Sequence, residues 1–117
     1  MNFSSNHPCY PKIYYDLGQG FNEIESVIVR YRTAGETVRL RFDLPTAEVK
    51  RFRFDPSESH CQFRVSALSL DDLENEMPLP LSSLQPLNQI AETGCSQSEF
   101  YATTTEDAND PSILITV

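Results

Sequence analysis

Val49-Lys50-Arg51-Phe52-Arg53-Phe54-Asp55-Pro56 is the stretch that decides the fold class. Phe52 and Phe54 project to one side and Arg51, Arg53 and Asp55 to the other, the period of two of a half-buried β-strand. Asp55-Pro56-Ser57 then ends it, because an aspartate side chain bonds its own backbone and a proline presets φ for the bend. The segment before it, Thr37 to Leu44, alternates in the same way: Val38, Leu40, Phe42 and Leu44 inward, Arg39, Arg41 and Asp43 outward, with Pro45 as its stop. Further upstream, Ile24 to Arg32 sets Val27, Val29 and Tyr31 against Ile28, Arg30 and Arg32. Thr33-Ala34-Gly35-Glu36 between these two segments reads as the turn of a β-hairpin.

The same reading extends outward to both ends. Lys12 to Leu17 alternates Ile13, Tyr15 and Leu17 with Tyr14 and Asp16, and Gly18 and Gly20 stop it in a tight turn. Cys61 to Leu70 begins with Phe63, Val65 and Ala67 on one face and continues with Leu68 and Leu70 on the other, which places a bulge or twist near Ala67. Strand character returns at Glu99 to Thr103 and at Ser112 to Val117. Between Asp71 and Gly94, Pro78, Pro80 and Pro86 break the pattern into one long connection, and Leu84, Leu87 and Ile90 at spacing three predict a short helical turn packed over one end. Residues 1–11 are expected to be a flexible leader and 12–117 one domain. Six to eight short strands punctuated by Pro and Gly predict an all-β antiparallel sandwich.

A chain of 117 residues is the size of one domain with one core, to which seven Phe and five Tyr bring large areas to bury. The net charge is −8, and it is unevenly spread: all nine Lys and Arg lie between Lys12 and Arg64, whereas nine carboxylates and no Lys or Arg follow Val65. Such a surface repels phosphate backbones and anionic headgroups, so neither nucleic acid nor membrane is an expected partner. A solvated acidic surface accounts for the rest. Cys9, Cys61 and Cys95 are odd in number and widely spaced, which predicts three thiols in a reducing compartment and a cytoplasmic location. No stretch approaches the length of an apolar membrane span, and the first residues lack the basic and apolar regions of a signal peptide.

Catalytic chemistry finds little to stand on. His60 beside Cys61 is one loop pair without the further ligands that zinc needs, and His7 lies in the expected leader. Oxygen-rich loops leave room for a structural calcium, although no EF-hand spacing is present; no other cofactor is expected. The two histidines offer no nucleophilic triad. Gly18-Gln19-Gly20-Phe21-Asn22-Glu23 lacks the third glycine and the following helix of a phosphate loop, and its glutamates would oppose a phosphate. No enzyme activity is therefore expected of this domain.

If strands 24–32, 37–44 and 49–55 are neighbours, Arg30, Arg32, Arg39, Arg41, Arg51 and Arg53 line one sheet face. Guanidinium groups make planar, bidentate hydrogen bonds to carboxylates or sugar hydroxyls, and the rings of Tyr14 and Tyr31 offer surfaces for a sugar to stack on. Arg30, Tyr31, Arg32, Arg39, Arg41 and Arg53 are therefore the candidate ligand contacts. A solvated face with weak cross-strand ion pairs satisfies the same pattern.

Tyr15-Asp16-Leu17-Gly18-Gln19-Gly20-Phe21-Asn22-Glu23, then Val38 to Pro45, Phe52-Arg53-Phe54-Asp55-Pro56, Phe63 to Leu70 and Asn109-Asp110-Pro111-Ser112-Ile113-Leu114 follow one another in an order that resembles a known family. It is the β-sandwich domain found beside glycosyltransferase, and sometimes methyltransferase, domains in bacterial proteins of surface polysaccharide synthesis. The resemblance spans roughly residues 12–117. It implies a galactose-binding-like jelly roll, a catalytic domain C-terminal to it in the same chain, and a non-catalytic accessory role in which a saccharide or nucleotide sugar is bound or positioned. It supplies no catalytic residues. A structural domain that docks on its catalytic neighbour or on a partner protein is the alternative. The Pro-rich segment 78–86 and the acidic second half depart from the family's pattern.

Overall fold

The computed structural model describes residues 1–44, 49, 51–71 and 75–117. Pro45, the expected strand terminator, Lys50 and residues 72–74 lie outside them. In chain order the strands are β1 (Asn2–Ser5), β2 (Lys12–Tyr15), β3 (Ser26–Ile28), β4 (Val38–Arg39), β5 (Arg51–Asp55), β6 (Gln62–Ser66), β7 (Ser69–Asp71), β8 (Glu76–Pro78), β9 (Leu84–Asn88), β10 (Ile90–Cys95), β11 (Phe100–Thr104) and β12 (Ser112–Thr116). Two antiparallel five-stranded sheets result, ordered β10-β11-β6-β1-β4 and β3-β2-β5-β12-β9, with β7 and β8 forming a small separate ribbon. The chain is an all-β antiparallel sandwich, as its alternation predicts.

The inward rows of the two sheets meet in one core. Phe3, Phe63, Val65, Phe100 and Ala102 come from the first sheet, and Ile13, Phe52, Phe54, Ile113 and Ile115 from the second. Phe54 joins the layers, its ring 5.8 Å from that of Phe3 and 6.3 Å from that of Phe63, both edge-on. Edge-to-face rings of this kind add roughly 0.5–1.5 kcal/mol beyond the area they bury.

Three sequence expectations are corrected here. Residues 1–11 are no flexible leader: β1 sits between β6 and β4, and Phe3 is fully buried. Segments 24–32 and 37–44 are no hairpin, because β3 pairs with β2 in one sheet while β4 pairs with β1 in the other. Between them the chain crosses from one sheet to the other, tied by the Cys9–Tyr31 bridge and by the Val29 and Gly35 amides, which donate to the Pro11 carbonyl at 2.9 Å and the Ser5 carbonyl at 2.8 Å. The described residues of the long connection are largely strand: a 3-10 turn occupies Leu81–Ser83, and Leu84, Leu87 and Ile90 fall on β9 and β10 rather than on a helical turn. The expected irregularity near Ala67 is present, with β6 ending at Ser66, β7 starting at Ser69 and Ala67 at φ 50° between them.

Candidate functional site

The outward face of the second sheet is built around β2 and β5, whose register sets Tyr14 opposite Arg53 and Lys12 opposite Asp55. The loop after β2 folds back over it. Asp16 starts the loop, its Oδ1 accepting from the amides of Gly18 (2.7 Å) and Gly20 (3.0 Å), two glycines at positive φ that give the tight turn its shape. Its other oxygen takes a 2.5 Å hydrogen bond from Arg51. Further along, Phe21 lies under the Arg51 and Arg53 guanidinium groups, at 5.5 and 6.0 Å. Glu23 then closes the loop on the sheet, accepting from the Tyr14 hydroxyl at 2.6 Å and pairing with Lys12.

Arg53 is held on three sides. Its Nε and Nη2 donate to the two oxygens of Asp55 at 2.9 and 3.0 Å, and its guanidinium stacks 3.9 Å from the centre of the Tyr14 ring. Burial pushes the Asp55 carboxyl up to about 6 against the attraction of Arg53, with the Asp110 carboxyl adding to the push. Glu23 is shifted the other way, its hydrogen bond from Lys12 holding it below the usual carboxylate range.

Asp110 reaches this neighbourhood through Gln89, which stands at φ 53° at the corner where the chain leaves β9 for β10. The Gln89 side-chain oxygen accepts from the amides of Asn109 (2.9 Å) and Asp110 (2.7 Å), and its nitrogen donates to Asn109 Oδ1 at 3.0 Å. Asn88 adds a 2.8 Å bond to the Asp110 carbonyl. The Asn109-Asp110-Pro111 turn is thereby pinned beside Asp55.

Two concavities open next to this framework, and Tyr10, 47% exposed, lines both. One, of about 160 Å³, is lined by Lys12, Tyr14, Ile28, Asp55, Glu58 and Asp110 together with Ser57 and Asn109. The other, of about 220 Å³, runs between Pro8, Cys9, Arg30 and Arg32. Each is smaller than the ~300–1,000 Å³ clefts that enclose drug-sized ligands, so each suits one ring or one small polar group.

The six expected contacts therefore do not share a face. Arg30 and Arg32 flank Tyr10 at the larger concavity. Tyr31 lies between them in sequence and shares the wall of that concavity, but its ring turns into the core, 2% exposed, where its hydroxyl donates to the Glu36 carbonyl (2.6 Å) and meets the Ser5 backbone at 3.2 Å. Arg39 is exposed on β4 of the opposite sheet, and Arg41 is exposed beside Asp43 at 3.4 Å. Arg53 supports Tyr14 and Asp55 from the side. The single arginine face fails because alternation tells which way a side chain points without telling which strands are neighbours.

Neither Tyr10 nor the Asn109-Asp110 pair carries an alternation that marks it as a ligand contact, since they lie outside the alternating segments and meet only through the fold. Cys9 and Cys61 are buried free thiols, pushed up by burial to about 12 and about 11, and Cys95 is an exposed free thiol. Among the described residues no group of three or more His, Cys, Asp or Glu is arranged to hold a metal ion. No helix formed by them is long and apolar enough to cross a membrane. Compared with known proteins, the chain matches no family model, no curated protein and no solved structure.

Proposed function

We propose that this domain is a saccharide-binding module that works as a non-catalytic accessory unit beside a catalytic domain, in keeping with its resemblance to the sandwich domains of bacterial glycosyltransferases. The observation that carries the reading is Tyr10, a half-exposed aromatic ring shared by two concavities that also carry charged side chains. A pyranose presents C–H groups on its faces and hydroxyls around its rim. The ring of Tyr10 suits the first, and Lys12, Asp55 and Asp110 on one side with Arg30 and Arg32 on the other suit the second. In a nucleotide sugar the diphosphate belongs with Arg30 and Arg32, away from the carboxylates of Asp55, Glu58 and Asp110.

Titration with free sugars and with nucleotide sugars, followed by amide chemical shifts, tests this. The signals of Tyr10, Arg30, Arg32 and Asp110 are expected to move, and Tyr10→Ala to weaken binding roughly tenfold, the upper end of what a ring contact contributes. Arg30→Ala should weaken nucleotide sugars more than free sugars. Silence from every sugar would reject the reading.

A second reading, a domain that docks on a protein, is favoured by a different observation. Ile24 is 91% exposed and Ile28 55%, beside and on the edge strand β3. Exposed apolar side chains at an unpaired strand edge are where another chain adds on. In a longer protein that includes a catalytic neighbour, this reading expects slowed hydrogen exchange on β3, and unchanged exchange there argues against it.

A further inference from the structure

The outward face of the first sheet carries a feature that the Tyr10 concavities do not use. Tyr101 on β11 pairs in register with Gly94 on β10 and with Arg64 on β6. A methyl group on Gly94 would lie 2.1 Å from Tyr101 Cζ and 2.2 Å from its hydroxyl oxygen, so the phenol ring occupies the space above the glycine. Gly94 has no positive φ, so close approach is what requires a glycine here. The ring is laid across the sheet. One of its faces covers Gly94, and 47% of the residue stays open to solvent.

Polar side chains surround this platform. The Arg64 guanidinium sits beside it, paired with Glu99 at 2.5 Å. Gln62 and Thr103 are opposite one another on the same outward rows, with Glu92 next to Thr103. Tyr101 is thus an aromatic surface amid hydrogen-bonding groups, without the contiguous apolar patch that a protein interface core requires. Charge selects further: Glu92 and Glu99 stand with Arg64 as the one nearby cation among the residues named, and no Lys or Arg follows Val65 in the sequence. Phosphate-bearing ring ligands are disfavoured by such a field, and neutral ones are not.

We infer that Tyr101, laid over Gly94, is a second binding platform, one that takes the apolar face of a neutral sugar ring while Arg64, Gln62 and Thr103 hydrogen-bond its hydroxyls. The inference rests on the saccharide-binding reading above but places a separate site on the opposite sheet.

Neutral linear oligosaccharides are titrated into the intact chain while the amides of Gly94, Tyr101 and Arg64 and those around Tyr10 are followed separately. The expected result is movement at Gly94, Tyr101 and Arg64, retained in Tyr101→Phe and lost in Tyr101→Ala, with binding at this face weakened roughly tenfold. Gly94→Ala, which evicts the ring without removing it, should have the same effect as Tyr101→Ala. Shifts confined to the Tyr10 concavities would overturn the platform and leave the proposed function standing. Shifts at Gly94 and Arg64 that survive Tyr101→Ala, or a response to UMP in place of neutral sugars, would also overturn it. Absence of any response at either place would remove both readings together.

Discussion

Arg53 and Asp55, two residues apart on one strand and on the same face, form a two-pronged ion pair at 2.9 and 3.0 Å in which the carboxylate is more deeply enclosed than its partner. In such a pair desolvation and attraction oppose each other. Here burial prevails, and the carboxyl rises to about 6.

A pH dependence of definite sign follows. Below about pH 4 Asp55 is protonated in both folded and unfolded chains. Between there and pH 6 the unfolded chain gives up the proton and the folded one keeps it, so rising pH favours unfolding, by on the order of 3 kcal/mol once both are ionised. Asp16 and Glu23, held low by Arg51 and Lys12, act with the opposite sign, and their contribution is lost as pH falls. The measurement is the side-chain carboxyl ¹³C shift of Asp55, with an expected midpoint near 6. In Arg53→Ala the attraction is gone while the burial persists, so the midpoint should move higher; a downward move would contradict the account.

Phe3 is the residue on which the first sheet depends. Its ring meets those of Tyr31 (5.3 Å), Phe54 (5.8 Å) and Phe63 (6.2 Å), and its strand fills the gap between β4 and β6. Phe3→Ala should cost about 3–5 kcal/mol, a large share of the ~5–15 kcal/mol that holds a domain folded. Urea unfolding reads this as a lower midpoint with little change in slope. A chain lacking residues 1–5 is expected to lose its cooperative transition, and one that keeps its full stability would show that β1 is dispensable.

What the sequence disclosed and what it hid follow from the same physics. Phe52 and Phe54, Phe63 and Val65, and Ile113 and Ile115 were legible because strands with one buried face must alternate. Asn2-Phe3-Ser4-Ser5 was not, since one phenylalanine makes no period, and Ser5 is buried as a polar residue whose backbone meets the Tyr31 hydroxyl. β9 and β10 were hidden for another reason. Leu84 is the one buried residue among them, and such edge strands are held by backbone pairing that side-chain patterns do not reveal. The site was the least legible part. Asp55 and Asp110 are far apart in sequence, and Gln89, which brings them together, lies in the Pro-broken connection where no pattern marks it.

Ala67 and Gln89 offer a comparison in which one backbone conformation predicts two signs. Both stand at positive φ, 50° and 53°, where a side chain costs roughly 1–2 kcal/mol and glycine does not. Ala67 is exposed between β6 and β7. Ala67→Gly should therefore raise stability by about 0.5–1 kcal/mol, the relief of strain being partly offset by the greater freedom of glycine in the unfolded chain. Gln89→Gly removes the same strain but also the bonds to the Asn109 and Asp110 amides, which are worth about 0.5–1.5 kcal/mol each. It should lower stability and release the 109–111 turn from Asp55. Urea midpoints separate the two effects, and the Asp55 titration supplies the second readout: with Asp110 no longer beside it, its midpoint should fall in Gln89→Gly and stay unchanged in Ala67→Gly.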